Sequence, residues 1–124
     1  MGKILIVDDS AVVREGIKDF LGKNGLDTET AVDGVDALNK LREDQSVKLV
    51  ITDVNMPNMD GLTLAEKIRS ELNNQTVKII VLTTENSPAL KQRGKAAGVS
   101  GWIVKPFNGQ HALGPIKKMV QSWK

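Results

Sequence analysis

Asp8 and Asp9 directly follow the apolar run Lys3-Ile-Leu-Ile-Val7, and Asp53 follows a second run, Lys48-Leu-Val-Ile-Thr52. Thr83 and Thr84 follow a third, Val77 to Leu82, and Lys105-Pro106-Phe107 follows a fourth, Gly101-Trp-Ile-Val104. Carboxylates held close together repel one another and stay ionised together only beside cations. A hard divalent ion with oxygen ligands answers that need. Mg²⁺ suits a shallow site, because it keeps several waters and binds through one or two carboxylates plus a phosphate. Lys105 would add an ammonium and Thr83 a hydroxyl, and the set is then shaped for an incoming phosphoryl group. Taken singly, each residue has a plainer use. Asp8-Asp9 before Ser10 favours a helix N-terminus through its dipole, Asp53 could be a loop acid, and a lone lysine is usually solvated. Their recurrence after successive apolar runs is what sets them apart.

The elements that would position these groups alternate. The four runs are β-branched or apolar with little alternation, which is how strands buried on both faces read. Asp27-Thr-Glu-Thr-Ala-Val32 is more polar and alternating, so it is expected at a sheet edge. Ser10 can cap a helix with Val13, Ile17, Phe20 and Leu21 inward, ending near Gly22 and Gly25. Gly34 to Glu43 presents Ala37, Leu38 and Leu41, and Asp60 to Leu72 presents Leu64, Ala65, Ile68 and Leu72. Ser87-Pro88 reads as a cap followed by first-turn proline. The helix behind it is weak, with Gly94 inside and Leu90 as its one large apolar residue. A last helix, about Asn108 to Trp123, presents Leu113, Ile116 and Val120. Pro115 inside it predicts a kink, or a true start near Gly114, since an interior proline costs about 3 kcal/mol. Five strands separated by helices require right-handed crossovers into a parallel sheet. The predicted fold is therefore α/β, a three-layer (βα)5 sandwich, with its ligands at the carboxyl ends of the strands.

Composition narrows the function. The 124 residues fit one domain spanning 1–124. Cys 0 excludes a disulfide framework, a thiolate metal site and a cysteine nucleophile. No apolar run approaches the roughly 20 residues of a membrane span, and the start is too short for a signal peptide, which points to the cytoplasm and to no membrane role. The net charge of +2 conceals an asymmetry: all 15 acidic groups and ten basic ones lie in residues 1–86, while 87–124 hold seven basic groups and no acidic one. That basic stretch includes Lys91, Arg93, Lys95, Lys117 and Lys118. Neither G-x-x-x-x-G-K-[ST] nor a G-x-G-x-x-G after a strand is present, against a nucleotide-binding module. No nucleic-acid recognition motif accompanies the charge. His111 stands alone and reads as a surface or capping residue.

Val7-Asp8-Asp9, Asp53-x-x-Met56-Pro57 with Asp60-Gly61, Thr83, and Lys105-Pro106-Phe107 together resemble the receiver domain of two-component response regulators, over essentially the whole chain. The resemblance is nearest to single-domain CheY-type chemotaxis regulators. It implies strand order 2-1-3-4-5. It also implies that Asp53 accepts a phosphoryl group from a sensor histidine kinase (CheA-like), a carboxylate nucleophile in covalent catalysis. Asp9, Asp53 and the backbone carbonyl of Asn55 would ligate Mg²⁺, and Asp8 would hold a metal-bound water. Lys105 would pair with the phosphoryl oxygens, Thr83 would swing in to donate to them, and the Lys105–Pro106 bond would be cis. The chain would then not be a conventional enzyme, catalysing only its own phosphorylation and dephosphorylation.

The family's switch aromatic stands three residues before the lysine, and here it is Trp102 rather than tyrosine or phenylalanine. Either the indole moves when Thr83 moves, or Trp102 is a half-buried strand residue with no such role. Glu85 and Asn55 occupy positions that tune autodephosphorylation in the family. The basic stretch would form the partner surface. Its charge predicts an output protein with an acidic docking segment, such as a flagellar motor switch component, bound less tightly as salt rises; the plainer reading is a solvated face. A monomer is expected. A phosphorelay intermediate or phosphate sink shares this chemistry. An aspartyl-nucleophile phosphatase usually needs a second acid two residues after the nucleophile, where this chain has Asn55.

Overall fold

The computed structural model describes residues 2–121. Five strands, β1 (Lys3–Val7), β2 (Thr28–Ala31), β3 (Val47–Thr52), β4 (Lys78–Thr83) and β5 (Gly101–Val104), alternate with five helices. These are α1 (Ala11–Lys23), α2 (Gly34–Glu43), α3 (Gly61–Ser70), α4 (Pro88–Ala96) and α5 (Gly109–Gln121). All pairings are parallel and the order is β2-β1-β3-β4-β5, so the polar strand β2 lies at an edge as expected.

Successive side chains of a strand point to opposite faces, and in β1, β3 and β4 both faces are covered. Leu5, Val7, Val50 and Ile79 pack with Leu38, Leu41, Leu64 and Ile68 of α2 and α3. Ile4, Ile6, Leu49, Ile51, Ile80 and Leu82 pack with Ile17 and Leu21 of α1 and Ile116 of α5. That double burial explains why these strands read as unbroken apolar runs. A third, smaller cluster of Val54, Leu62 and Val81 lies under Leu90 of α4, with Val99 and Trp102 against it.

The helices start where their caps dictate. Ser10, Asp33, Asp60 and Ser87 each accept a backbone N–H from the first turn of α1, α2, α3 and α4, satisfying a donor the helix leaves open. Helix α3 stops at Ser70, two residues short of the sequence expectation, and Asn73 then turns at φ 51°. Helix α5 is the larger correction. It begins at Gly109 and runs through Pro115, so there is no start near Gly114. Gly114 and Pro115 are exposed, and a carbonyl left without its N–H partner on that side can be hydrated. The inward stripe is Ala112, Ile116 and Val120, with Leu113 half-buried. Trp123, the expected end of this helix, lies outside the described residues.

Candidate functional site

The strand register brings the chemistry together. Val7 pairs with Thr52, and the Asp53 N–H continues the ladder by donating to the Val7 carbonyl at 3.1 Å. Asp8 and Asp53, each the next residue, therefore leave the sheet side by side. Oxygen atoms of Asp8, Asp9 and Asp53 all lie within 4.8 Å of one another. Asp8 is buried, Asp53 is 9% exposed, and Asp9 opens to solvent.

Each buried carboxylate is held on both oxygens. Asp8 Oδ1 accepts from the Ser10 N–H at 2.9 Å and Oδ2 from Lys105 Nζ at 3.1 Å. Asp53 Oδ1 accepts from the Val54 N–H at 2.7 Å and Oδ2 from Lys105 Nζ at 2.9 Å. Lys105 reaches them from the far strand because its own N–H donates to the Thr83 carbonyl at 2.8 Å; the following Lys105–Pro106 bond is cis, as expected. Burial pulls the Lys105 pKa down, but the hydrogen bonds and negative charges of Asp53 and Asp8 outweigh it and hold the ammonium above its ordinary value. The three oxygen-bearing acids outnumber the one ammonium that touches two of them, and a hard cation fits that donor set.

Thr83 is fully buried at the end of β4, and its Oγ1 accepts the Glu85 N–H at 3.2 Å. Asn55 is exposed, and its Nδ2 donates to Glu85 Oε1 at 3.3 Å across the mouth of the site. Trp102 is half-buried, and its Nε1–H donates to the Glu85 carbonyl at 3.0 Å. The basic face is less uniform than its sequence. Lys91 and Lys95 of α4 and Lys118 of α5 are exposed, and Lys117 is half-buried. Arg93 instead turns to α3, where it pairs with Glu66 at 3.1 Å and donates to Thr63 Oγ1 at 3.0 Å. Its guanidinium is neutralised by helix α3, and Lys105 is committed to the acids, so neither contributes to an open cationic surface.

Several supporting residues escaped the sequence reading. Arg14 donates from Nη1 to the Asp8 carbonyl at 2.6 Å, and Thr52 Oγ1 donates to the Asp53 carbonyl at 2.9 Å. Gly61 is required by close approach: a Cβ there would stand 1.9 Å from the Asp53 carbonyl oxygen. The glycine lets the start of α3 close against the residue after β3, with the Gly61 N–H donating to the Val54 carbonyl at 2.8 Å. No periodicity carries such information; the Asp-Gly pair at 60–61 was its one trace.

The order 2-1-3-4-5, with acids after the first and third strands and a lysine after the fifth, defines a flavodoxin-like doubly wound protein whose working edge is the carboxyl end of its sheet. Within that class the chain belongs to the response regulator receiver domain family, whose model matches residues 4–117. It is 43% identical over 109 residues to the chemotaxis protein CheY1 of Helicobacter pylori, covering 87% of this chain and 88% of that protein. Chemotaxis protein CheY4 of Vibrio cholerae superposes with a TM-score of 0.88 at 40% identity, over 96% of this chain and 98% of the other. Response regulator protein TrrA of Thermotoga maritima, solved in complex with Mg²⁺–BeF, superposes with a TM-score of 0.83 at 34% identity, over 96% and 99% of the two chains. No helix among the described residues is long and apolar enough to cross a membrane.

Proposed function

We propose that the chain is a phosphorylation-dependent signalling switch that takes a phosphoryl group from a histidine kinase onto Asp53. The observation that carries this reading is the placement of Asp53: a carboxylate at the sheet rim, 9% exposed, in contact with Lys105 and beside two further acids. A lone pair of one Asp53 carboxylate oxygen attacks the phosphorus, the P–N bond of the phosphohistidine breaks, and its electrons leave with the imidazole nitrogen, which then takes a proton from solvent. Hydrolysis reverses the state: water attacks phosphorus, the aspartyl P–O bond breaks, and inorganic phosphate departs. Asp8, Asp9 and Asp53, with the carbonyl of Asn55, would hold Mg²⁺, which neutralises charge on the transferring group when bound. Lys105 moves from bridging two carboxylates to pairing with phosphoryl oxygens, and the Thr83 hydroxyl is the donor within reach of the same strand end.

The output follows from added charge. Residues 1–124 act as one receiver unit in the cytoplasm, and the kinase and target are those of a chemotaxis-type pathway, in keeping with the names of the relatives. The target docks on α4, β5 and α5 through an acidic segment that meets Lys91, Lys95, Lys117 and Lys118. Intact mass after incubation with Mg²⁺ and acetyl phosphate tests the chemistry. Wild type gains one phosphoryl group, while Asp53→Ala, or wild type in EDTA, gains none. An unchanged wild-type mass would overturn the proposal.

A further inference from the structure

The dipeptide Asn-Gly occurs twice in the chain, at 24–25 and at 108–109. In it the glycine amide nitrogen can attack the asparagine side-chain carbon, because the glycine has no side chain to stand in the way. The fold treats the two copies differently. Asn24 follows α1 with both reacting groups tied: its Nδ2 donates to the Phe20 carbonyl at 2.8 Å, and the Gly25 N–H donates to the Gly22 carbonyl at 3.1 Å. Asn108 is exposed just before α5. Its Oδ1 accepts the His111 N–H at 3.3 Å, and its carbonyl accepts the Ala112 N–H at 3.0 Å. The Gly109 N–H is one of the donors a helix leaves open at its N-terminus, and no protein acceptor takes it among the described residues. Packing fixes the glycine itself. A Cβ at position 109 would stand 2.5, 2.6 and 2.7 Å from three carbons of the Phe20 ring, which lies edge-on to Phe107 with 5.9 Å between centroids.

We infer that Asn108 is a site of spontaneous deamidation in the folded protein, and that the fold protects Asn24 from the same reaction. The Gly109 nitrogen gives its proton to hydroxide and attacks Asn108 Cγ. Negative charge then collects on Oδ1, where the His111 N–H and the positive end of α5 lie. The Cγ–Nδ2 bond breaks, Nδ2 takes a proton from water and leaves as ammonia, and a succinimide ring joins residues 108 and 109. Water opens that ring at either carbonyl. Attack at Cγ gives an ordinary aspartate, and attack at the main-chain carbon gives an isoaspartate, with the chain running through the side chain. At Asn24 the tied groups act the other way, since the attacking N–H and the departing amide are both engaged as donors. The aspartate product keeps the cap, because Asn and Asp serve equally well there. It also puts a negative charge into the stretch 87–124, which holds seven basic groups and no acidic one. The isoaspartate lengthens the main chain between Phe107 and Gly109, so it moves Gly109 off its seat on Phe20.

The test is to age the full chain in mildly alkaline buffer, with no phosphodonor, and to follow each asparagine by peptide mass mapping. Isoaspartate is counted separately, by its methylation with an isoaspartyl methyltransferase. In the folded protein Asn108 converts about tenfold or more faster than Asn24, because two hydrogen bonds must open before Asn24 can react. In guanidinium chloride the two convert at similar rates, since the dipeptide is the same and the fold no longer separates them. Conversion of Asn108 slows as pH falls, as attack by a deprotonated amide requires. Asn108→Ser keeps a capping hydroxyl but has no amide to lose, and most of the methylatable fraction disappears. A folded-state rate at Asn108 no greater than at Asn24 overturns the inference. So does a rate difference that survives in guanidinium chloride, or a methylatable fraction as large in Asn108→Ser as in wild type.

Discussion

Replacing Lys105 by methionine separates two effects of a single ammonium, one on stability and one on chemistry. Lys105 Nζ lies 3.1 Å from Asp8 Oδ2 and 2.9 Å from Asp53 Oδ2, and the side chains are 20%, 4% and 11% exposed. At an effective dielectric near 20, each contact is worth about 5 kcal/mol of gross Coulomb attraction, most of it offset by the desolvation of the three charges. Removing one partner of a buried pair costs about 3–5 kcal/mol because the remaining charge is left uncompensated. The partial exposure of this rim brings the expected loss to about 2–4 kcal/mol, or roughly 8–16 °C in Tm for a chain of this size. The measurement is urea unfolding followed by circular dichroism, in EDTA and again in saturating Mg²⁺. A bound cation stabilises the folded state in proportion to RT ln(1 + [L]/Kd), and without the competing ammonium the acids bind it more tightly. Mg²⁺ therefore restores most of the lost stability in Lys105→Met and adds less to wild type, yet phosphoryl transfer remains impaired. A loss below about 0.5 kcal/mol in EDTA, the range of an exposed pair, would refute the claim that Lys105 compensates the buried acids.

Gly61→Ala forces a Cβ to 1.9 Å from the Asp53 carbonyl; overpacking against backbone costs about 3 kcal/mol or more, and urea unfolding should show that loss with Asp53 phosphorylation also reduced. Asp44 accepts hydrogen bonds from Lys3, Ser46 Oγ and the Ser46 N–H, and these hold its carboxyl well below its ordinary 3.8. Its contribution is present above that value and lost as pH falls through the depressed folded one, so Asp44→Asn flattens the acid limb of stability against pH. Lys105 has the opposite sign: its folded pKa is raised above 10.5, so its contribution is intact below that pH and lost in the alkaline limb, which Lys105→Met flattens. Lys91→Gln, Lys95→Gln, Lys117→Gln and Lys118→Gln together weaken partner binding and reduce its salt dependence, read by isothermal titration at two ionic strengths. Arg93→Gln, whose guanidinium faces Glu66, leaves that salt dependence nearly unchanged.

The strands were legible because burial on both faces leaves only apolar side chains to choose from, and β1 and β5 match expectation to the residue while β3 and β4 differ by one. The starts of α1 and α4 were legible for a similar reason, since Ser10 and Ser87 are residue types that satisfy open N–H groups, whereas the capping roles of Asp33 and Asp60 emerge only from the structure. For helix α5 the alternative of a start near Gly114 fails, since the helix begins at Gly109 and runs through Pro115. Sequence states that a proline lacks its N–H but not which side of the helix the proline lies on, and here Pro115 is exposed. The acids, Thr83 and Lys105 were legible as residues following strands, because in a parallel sheet every strand ends at the same edge. Arg14, Thr52, Gly61 and Gly94 were not, because each acts through one contact to a residue distant in space or to a backbone atom.

Gly94 shows how such a contact inverts a sequence argument. Read alone, it weakens a helix already poor in apolar residues, and α4 buries no large side chain completely. Read with Trp102, the missing Cβ is where the indole edge lies, and the helix is then held by what packs beneath it, with Leu90, Val81 and Leu62 in the same cluster. Its far end is tied by Arg69, which donates to the Gly98 carbonyl at 2.8 Å and the Val77 carbonyl at 2.8 Å. Its other end is held by Ser87, whose Oγ accepts the Leu90 N–H at 3.1 Å and whose carbonyl accepts the Lys91 N–H at 3.1 Å, so a helix with little apolar surface of its own is fixed at both ends and through its centre by single contacts.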